Sequence, residues 1–234
     1  MNAKPKLTRS GYKRIIMLYG AMAAGAVIFF AAAGRFDLPR AWAYFLLSLF
    51  CQTVVFLLVF IRPEMAEVLN ARGETHFVKV WDVAFVISYS LATLIVLPLV
   101  AGLDVGRFRW SELSLWWLAA GVIFYLLAIL ITEWALLENK FFETGVRVQK
   151  ERGQTVISTG PYAIVRHPGY AGMILLYFSF PLIIGSFYTL LVSLFIALSL
   201  IVRTVLEEAT LRQELAGYVE YTKKTRYRLI PFIW

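Results

Sequence analysis

The densest run of chemically capable residues is Thr159-Gly160-Pro161-Tyr162, then Arg166-His167-Pro168, then Tyr170 and Gly172, directly ahead of an apolar segment. Pro168 is suited to open a helix, because the N–H it lacks would be unpaired there anyway. Arg166 and His167 then stand at a helix N-terminus, where the dipole and free amides favour an anion such as a carboxylate or phosphate. A grip on a lipid phosphate fits the same residues. Glu207 and Glu208 follow further along, with Arg203 one turn before them. Adjacent helical residues point about 100° apart, so the two carboxylates form no dyad. One faces inward while the other faces water, Arg203 or Arg212; a solvated helix end with pairs at four-residue spacing is the structural alternative. Tyr162, Tyr170, Tyr218, Tyr221 and Tyr227 border this cluster.

Elsewhere the polar residues are sparse. Glu133 lies inside an apolar segment, where an ionised side chain costs roughly 2.5 to 3.5 kcal/mol, so it is expected to face the protein interior; Glu138 marks that segment's end. His76 and His167 are the only histidines and Cys51 is the only cysteine. No metal-ligand set and no internal disulfide is therefore expected. There is no GxGxxG, P-loop or nucleophile elbow.

These residues must be held by elements in lipid. The chain has 234 residues, 60% hydrophobic and 16% charged, with mean hydropathy +0.70; a soluble domain carries about 25% charged residues. The expected fold is all-α, a polytopic integral membrane protein of one domain, 1–234. About six apolar helices are marked at Ile15–Ala33, Ala41–Ile61, Val83–Leu103, Leu115–Leu137, Tyr170–Gly185 and Phe187–Leu206. The first four occupy residues 1–137, and 138–234 is the expected donor-binding region. The fifth and sixth are too closely spaced for a real loop, so with Pro181, Gly185 and Ser186 they make a tight hairpin. That hairpin returns Glu207 to the membrane face of His167, and a cation and an anion at one level suit a zwitterionic ligand. Two longer polar segments, Arg62–Asp82 and Glu138–Gly169, lie on the same face, the first with a helix-compatible stretch at Glu64–Ala71 placed along the interface.

The 23 Lys and Arg are strung between apolar segments, which reads as orientation signals and phospholipid contacts and not as nucleic-acid binding. With the N-terminus inside, only Arg35, Arg40, Arg107 and Arg109 fall outside, so both termini are expected in the cytosol and Ile15–Ala33 is expected to be a retained anchor. Gly106 falls in an outer loop on this reading, Gly153 and Lys223 inside. Trp42, Trp110, Trp116, Trp117 and Trp234 fall near the predicted boundaries, as interfacial tryptophans do.

The run Asn139-Lys140-Phe141-Phe142, Val146-Arg147-Val148-Gln149, Arg152-Gly153, Thr159-Gly160-Pro161-Tyr162, Arg166-His167-Pro168, Tyr170 and Gly172 resembles the membrane methyltransferases of the isoprenylcysteine carboxyl methyltransferase type. The tail, Glu207-Glu208, Leu211, Gly217-Tyr218, Tyr221, Arg226-Tyr227-Arg228-Leu229-Ile230-Pro231 and Trp234, is similar to the bacterial branch, as are Arg62-Pro63-Glu64, Arg72 and Trp81-Asp82. The resemblance is close from Asn139 onward and loose before it. It implies an enzyme, placed in a bacterial inner membrane, that binds S-adenosyl-L-methionine at the cytosolic face. The implied donor-binding residues are Gly160, Tyr162, Arg166, His167, Pro168, Tyr170, Glu207, Glu208, Tyr218 and Tyr221. Arg166 with His167 suits the donor carboxylate, Glu207 or Glu208 its ammonium or ribose, and tyrosines its sulfonium.

The expected reaction is methyl transfer to an amphiphilic, lipid-like acceptor, as carboxyl O-methylation. Glu208, Arg203 and Arg226 are the expected catalytic residues, with Arg203, Arg226 and Arg228 as cations for an acceptor carboxylate; contact with anionic headgroups is their alternative role. The motifs are also similar to those of phospholipid N-methyltransferases and of NADPH-dependent sterol reductases. Reductase relatives often carry an acidic residue where this chain has Met173. A phospholipid or amine N-methyltransferase is the second reading, with a reductase or a non-enzymatic membrane module behind it.

Overall fold

The computed structural model describes residues 6–73 and 79–234; His76 lies outside the described residues. Among them the chain is all-helical, with no strand. Its helices are α1 (Arg9–Ala33), α2 (Pro39–Ile61), α3 (Pro63–Gly73), α4 (Val80–Leu91), α5 (Leu97–Ala101), α6 (Leu115–Glu138), α7 (Pro168–Ile184), α8 (Phe187–Glu214) and α9 (Tyr218–Lys224). Five are long and apolar enough to cross a membrane: α1, α2, the continuous helix Val80–Phe108 that includes α4 and α5, α6 and α8. The remaining apolar helix, α7, has 17 residues, about 25 Å of rise against a hydrocarbon layer of about 30 Å. The chain is an integral membrane protein.

Small residues set the closest approaches, as packing in lipid requires. Helix α6 packs along α7 through Gly121, which faces Leu182 and Ile183, and Gly172, where an added Cβ would lie 2.3 Å from Thr132 Oγ1 and 3.0 Å from the Ala128 carbonyl. The start of α7 is thereby fixed against the last turns of α6. The helix of α4 and α5 widens into π turns at Ala92–Val96 and Gly102–Phe108. The second presses on α1, and a Cβ on Gly106 would meet the Ala33 side chain at 2.3 Å. Gly106, expected in an outer loop, is therefore packed inside the helical bundle. A core of Phe29, Ala41, Phe180, Ile184, Ile196 and Leu200 fills the space between α1, α2, α7 and α8.

The far end of α7 is locked by polar groups. Gly185, at φ 94°, caps α7, and Ser186 caps α8 by accepting from the Thr189 N–H at 3.1 Å. Arg40 reaches from α2 to donate to the carbonyls of Leu182, Ile183 and Leu113 at 2.6–2.7 Å. The buried Asp104 carboxylate accepts from the hydroxyls of Ser186 and Ser111 at 2.5 and 2.6 Å. Arg107 in turn donates to the Ala31 and Ala32 carbonyls that end α1, and Arg35 pairs with Asp37. Three of the four arginines expected on the outer side thus serve carbonyl caps or a local ion pair, the favourable place for a cation at a helix C-terminus.

Topology is tested with single cysteines in a Cys51→Ala background. Gly106 is too tightly packed to serve, so the outer probe moves to the exposed Glu112. Glu112→Cys should react with an impermeant maleimide in sealed cells, and Gly153→Cys and Lys223→Cys should react only after lysis. External labelling at Gly153 would overturn the orientation.

Candidate functional site

The opposite end of α7 opens into a pocket that is continuous with solvent. Its walls come from the end of α6, the loop 139–157, the starts of α7 and α9, and the polar end of α8.

Glu138 closes α6 and takes a hydrogen bond from the Thr159 hydroxyl. Gly160 sits directly over this carboxylate at φ 54°, where an added Cβ would meet Glu138 Oε2 at 2.8 Å. The turn Gly160–Ala163 then carries Tyr162 into the pocket wall, where its hydroxyl accepts from Asn139 Nδ2 at 3.2 Å. Pro168 is the first residue of α7, as expected. The N–H groups of Arg166 and His167, just before it, donate to the carbonyls of Tyr227 and Arg228 at 2.9 Å each. The tail therefore runs beside the helix start and occupies amides that were expected to receive an anion.

Glu208 is the hub of this region. It is 2% exposed and accepts from Arg166 Nε, while Arg228 Nε donates to its other oxygen at 2.9 Å. His167 Nε2 lies 3.5 Å away. Arg166 also donates through Nη1 to the carbonyls of Thr225 and Arg226 at 2.8 and 2.7 Å. The guanidinium expected to hold a donor carboxylate is committed to an internal ion pair. Glu208, expected both at the donor and in catalysis, is held away from the pocket lining by the same bonds.

The neighbouring Glu207 does line the pocket and accepts from the Tyr170 hydroxyl at 2.5 Å. The Tyr170 ring lies parallel to the His167 imidazole, with centroids 5.7 Å apart. Of the ten expected donor-binding residues, the pocket lining brings together Tyr162, Arg166, His167, Tyr170, Glu207, Tyr218 and Tyr221; Gly160, Pro168 and Glu208 stand behind it.

Tyr221 donates to the Tyr162 carbonyl at 2.7 Å. The Tyr218 hydroxyl is buried and has no protein partner, while the buried His167 Nε2 has only its 3.5 Å contact with Glu208. Burial pushes both the Tyr218 and Tyr221 phenols well above the usual tyrosine range, so both remain neutral donors at physiological pH.

Arg203 and Arg226 are not in the lining. Arg203 forms a buried pair with Asp82 at 2.8 Å and donates to the Thr144 carbonyl at 2.6 Å, its guanidinium 4.6 Å from the Phe85 ring and 5.6 Å from that of Tyr170. The Arg226 side chain is exposed. Asp82 is the residue whose role the motifs concealed. Fully buried, it also accepts from the Val146 N–H at 2.6 Å and so ties the pocket loop to α4. Its sequence signals are a carboxylate at the head of an apolar segment and the likeness of Trp81-Asp82 to the bacterial branch, and neither names its partners. Within the loop, the buried Gln149 donates to the Phe141 carbonyl at 2.7 Å, and the pocket-lining Glu143 pairs with Arg147 at 2.9 Å.

Fold and site together define a helical membrane protein with a polar, aromatic pocket at one end of the 17-residue apolar helix α7. Residues 121–213 match the family model described as Isoprenylcysteine carboxyl methyltransferase (ICMT) family. The matched stretch runs from α6 through the pocket loop and α7 to the Glu207–Glu208 end of α8. The match supports an isoprenylcysteine carboxyl methyltransferase-like family, and with it a membrane methyltransferase. No curated protein matches the chain.

The hub makes a structural expectation. Glu208→Gln strips the buried Arg166 of its counter-charge, and breaking a buried ion pair on one side costs about 3–5 kcal/mol. Thermal melting in detergent should show a large loss of stability, whereas Glu207→Gln, at the half-exposed wall, should melt close to wild type. Equal melting of the two variants would remove Glu208 from its central place.

Proposed function

We propose that the protein transfers a methyl group from S-adenosyl-L-methionine to the carboxylate of a lipid-like acceptor at the cytosolic membrane interface. The observation that carries this reading is a buried polar atom without a protein partner, Tyr218 Oη, on a residue that lines one pocket with His167 and the Glu207 carboxylate. Buried polar groups are nearly always satisfied, so an orphaned hydroxyl at a pocket wall fits a polar ligand. Their chemistry suits the donor. Glu207 would hold the ammonium or ribose hydroxyls, and His167 and Tyr218 would hydrogen-bond its carboxylate or hydroxyls.

Bound there, the donor supplies an electrophilic methyl group on a sulfonium. The chain contributes positioning and water exclusion. The rings of Tyr218 and Tyr221 offer a neutral, electron-rich wall for a cation. A carboxylate acceptor arrives already able to attack, so no side chain has to remove a proton first; a protonated amine would need one that does. Arg203 and Arg228, two of the three cations expected to meet the acceptor carboxylate, are engaged with Asp82 and Glu208. Arg226, exposed beside the tail, is the remaining one of the three.

Purified protein should bind S-adenosyl-L-methionine in calorimetry. Glu207→Gln and Tyr218→Phe should each weaken binding with little change in melting temperature, the former by roughly 1.5 to 3 kcal/mol for a lost charge-assisted hydrogen bond. A preference for NADPH would turn the reading to a reductase. For the acceptor, membranes incubated with methyl-labelled donor are extracted and treated with mild alkali. An ester releases volatile labelled methanol; label that remains in the lipid fraction would replace the carboxylate by an amine.

A further inference from the structure

The last residues of the chain form a second structure that the pocket does not explain. The Trp234 carbonyl oxygen accepts from three successive N–H groups, those of Arg228, Leu229 and Ile230, at 2.8, 3.0 and 3.2 Å. The Arg228 guanidinium lies 4.8 Å from the Trp234 ring centroid while its Nε donates to Glu208. Residues 228–234 are therefore a closed hairpin fastened to the hub. Phe232 turns it at φ 65°, a region that bulky residues avoid.

That turn leaves apolar side chains facing outward. Phe232 is 87% exposed, Ile233 76% and Ile230 52%, on a segment of only seven residues. Their depth follows from the hub. From Phe187 to Leu206, α8 rises about 30 Å, the thickness of the hydrocarbon layer. Glu208 thus stands at the edge of that layer, and the 2.9 Å contact of Arg228 with Glu208 holds the hairpin at the same level. On α9 and just after it, Lys223, Lys224 and Arg226 are exposed. Apolar side chains at the edge of the hydrocarbon layer with cations beside them complement an anionic phospholipid surface.

We propose that the hairpin Arg228–Trp234 is an interfacial anchor: Ile230, Phe232 and Ile233 insert among the phospholipid headgroups of the protein's own membrane and hold Arg228, and through it Glu208, behind the wall of the pocket. The occupant of this apolar surface is the phospholipid interface. The second half of the proposal, control of the pocket by the anchor, rests on the donor reading above; the first half does not.

The test places bimane on Ile233→Cys in a Cys51→Ala background, in nanodiscs of phosphatidylglycerol and phosphatidylcholine. Quenching by a lipid carrying a nitroxide near its headgroup, with protection from aqueous iodide, is expected. Phe232→Ser with Ile230→Ser should reverse that pattern and weaken S-adenosyl-L-methionine binding roughly tenfold, the lower end for a lost hydrogen bond to a charged group, while the same change at the remote exposed Phe36 should not. Iodide quenching without lipid quenching in the otherwise unaltered hairpin would overturn the anchor, even if the serine variant fails to fold. Protection from both quenchers together with a dimeric mass would assign the surface to a second copy. If the unaltered protein binds no donor, the methyl-transfer reading falls, and the quenching pattern still decides the anchor.

Discussion

A carboxylate buried at the edge of the membrane is tolerable only if cations meet it, and Glu208 organises its surroundings by that need. Moving an ion of this size out of water costs several kcal/mol even after the protein relaxes, so its two oxygens have to be matched by donors in good geometry. Arg166 comes from the residues before α7 and Arg228 from the tail, 42 and 20 positions away in sequence. Once both guanidiniums are in place, the backbone of Arg166 and His167 lies beside Tyr227 and Arg228, and the hydrogen bonds between them follow. One side chain thus joins three segments that are far apart in sequence. Removing the charge would leave two cations facing each other in a space with little water.

The hub is useful only because the helices behind it hold still. Gly121 and Gly172 let α6 and α7 approach until backbone and small side chains touch, and in lipid such contacts carry the association that the hydrophobic effect cannot. At the far end Arg40 and Asp104 tie α2, the π turn before Arg109 and both arms of the hairpin together through carbonyls and hydroxyls. The near end is fixed by ion pairs, Arg166–Glu208 and Arg203–Asp82. Between them α7 has few degrees of freedom, although it is too short to rest on the bilayer alone. A pocket at its N-terminus inherits that rigidity.

The sequence showed the parts of this arrangement governed by composition and local pattern. The apolar segments, the tight turn at Gly185 and Ser186, and Pro168 as a helix start are all local properties, and the structure has helices or a turn at those places. The nearness of Arg166 and His167 to Glu207 and Glu208 was also legible, because only the length of a hairpin was needed. Which glutamate faces the pocket was not. The two point in different directions by helical geometry, but the absolute rotation of α8 depends on tertiary contacts that include Arg203 with Asp82. Sequence counting made Arg203 and Arg228 look like surplus cations because their acidic partners lie far away in the chain. The second π turn was hidden for a similar reason: Gly102 and Gly106 are spaced for a close helix approach, but the widened turn there goes with contacts to α1 that lie far away in the chain.

The division of labour between the two glutamates bears on how a pocket at this level can work. A carboxylate matched by two guanidiniums belongs to a cluster with a net positive charge, so Glu208 is suited to hold the frame and poorly suited to bind a cation. Glu207, one residue earlier, takes only a phenol hydroxyl from the protein among its hydrogen bonds described here and keeps acceptor capacity toward the pocket. The orphaned Tyr218 hydroxyl and the pocket-lining His167 complete a set of one anion, one neutral donor and one imidazole. Such a set recognises a ligand bearing both charges better than a simple anion, for which Glu207 would be repulsive, or a simple cation, for which the imidazole would be idle. Adjacent placement on α8 is what makes this separation possible: a turn of about 100° between neighbours sends one carboxylate into the frame and the other to the ligand.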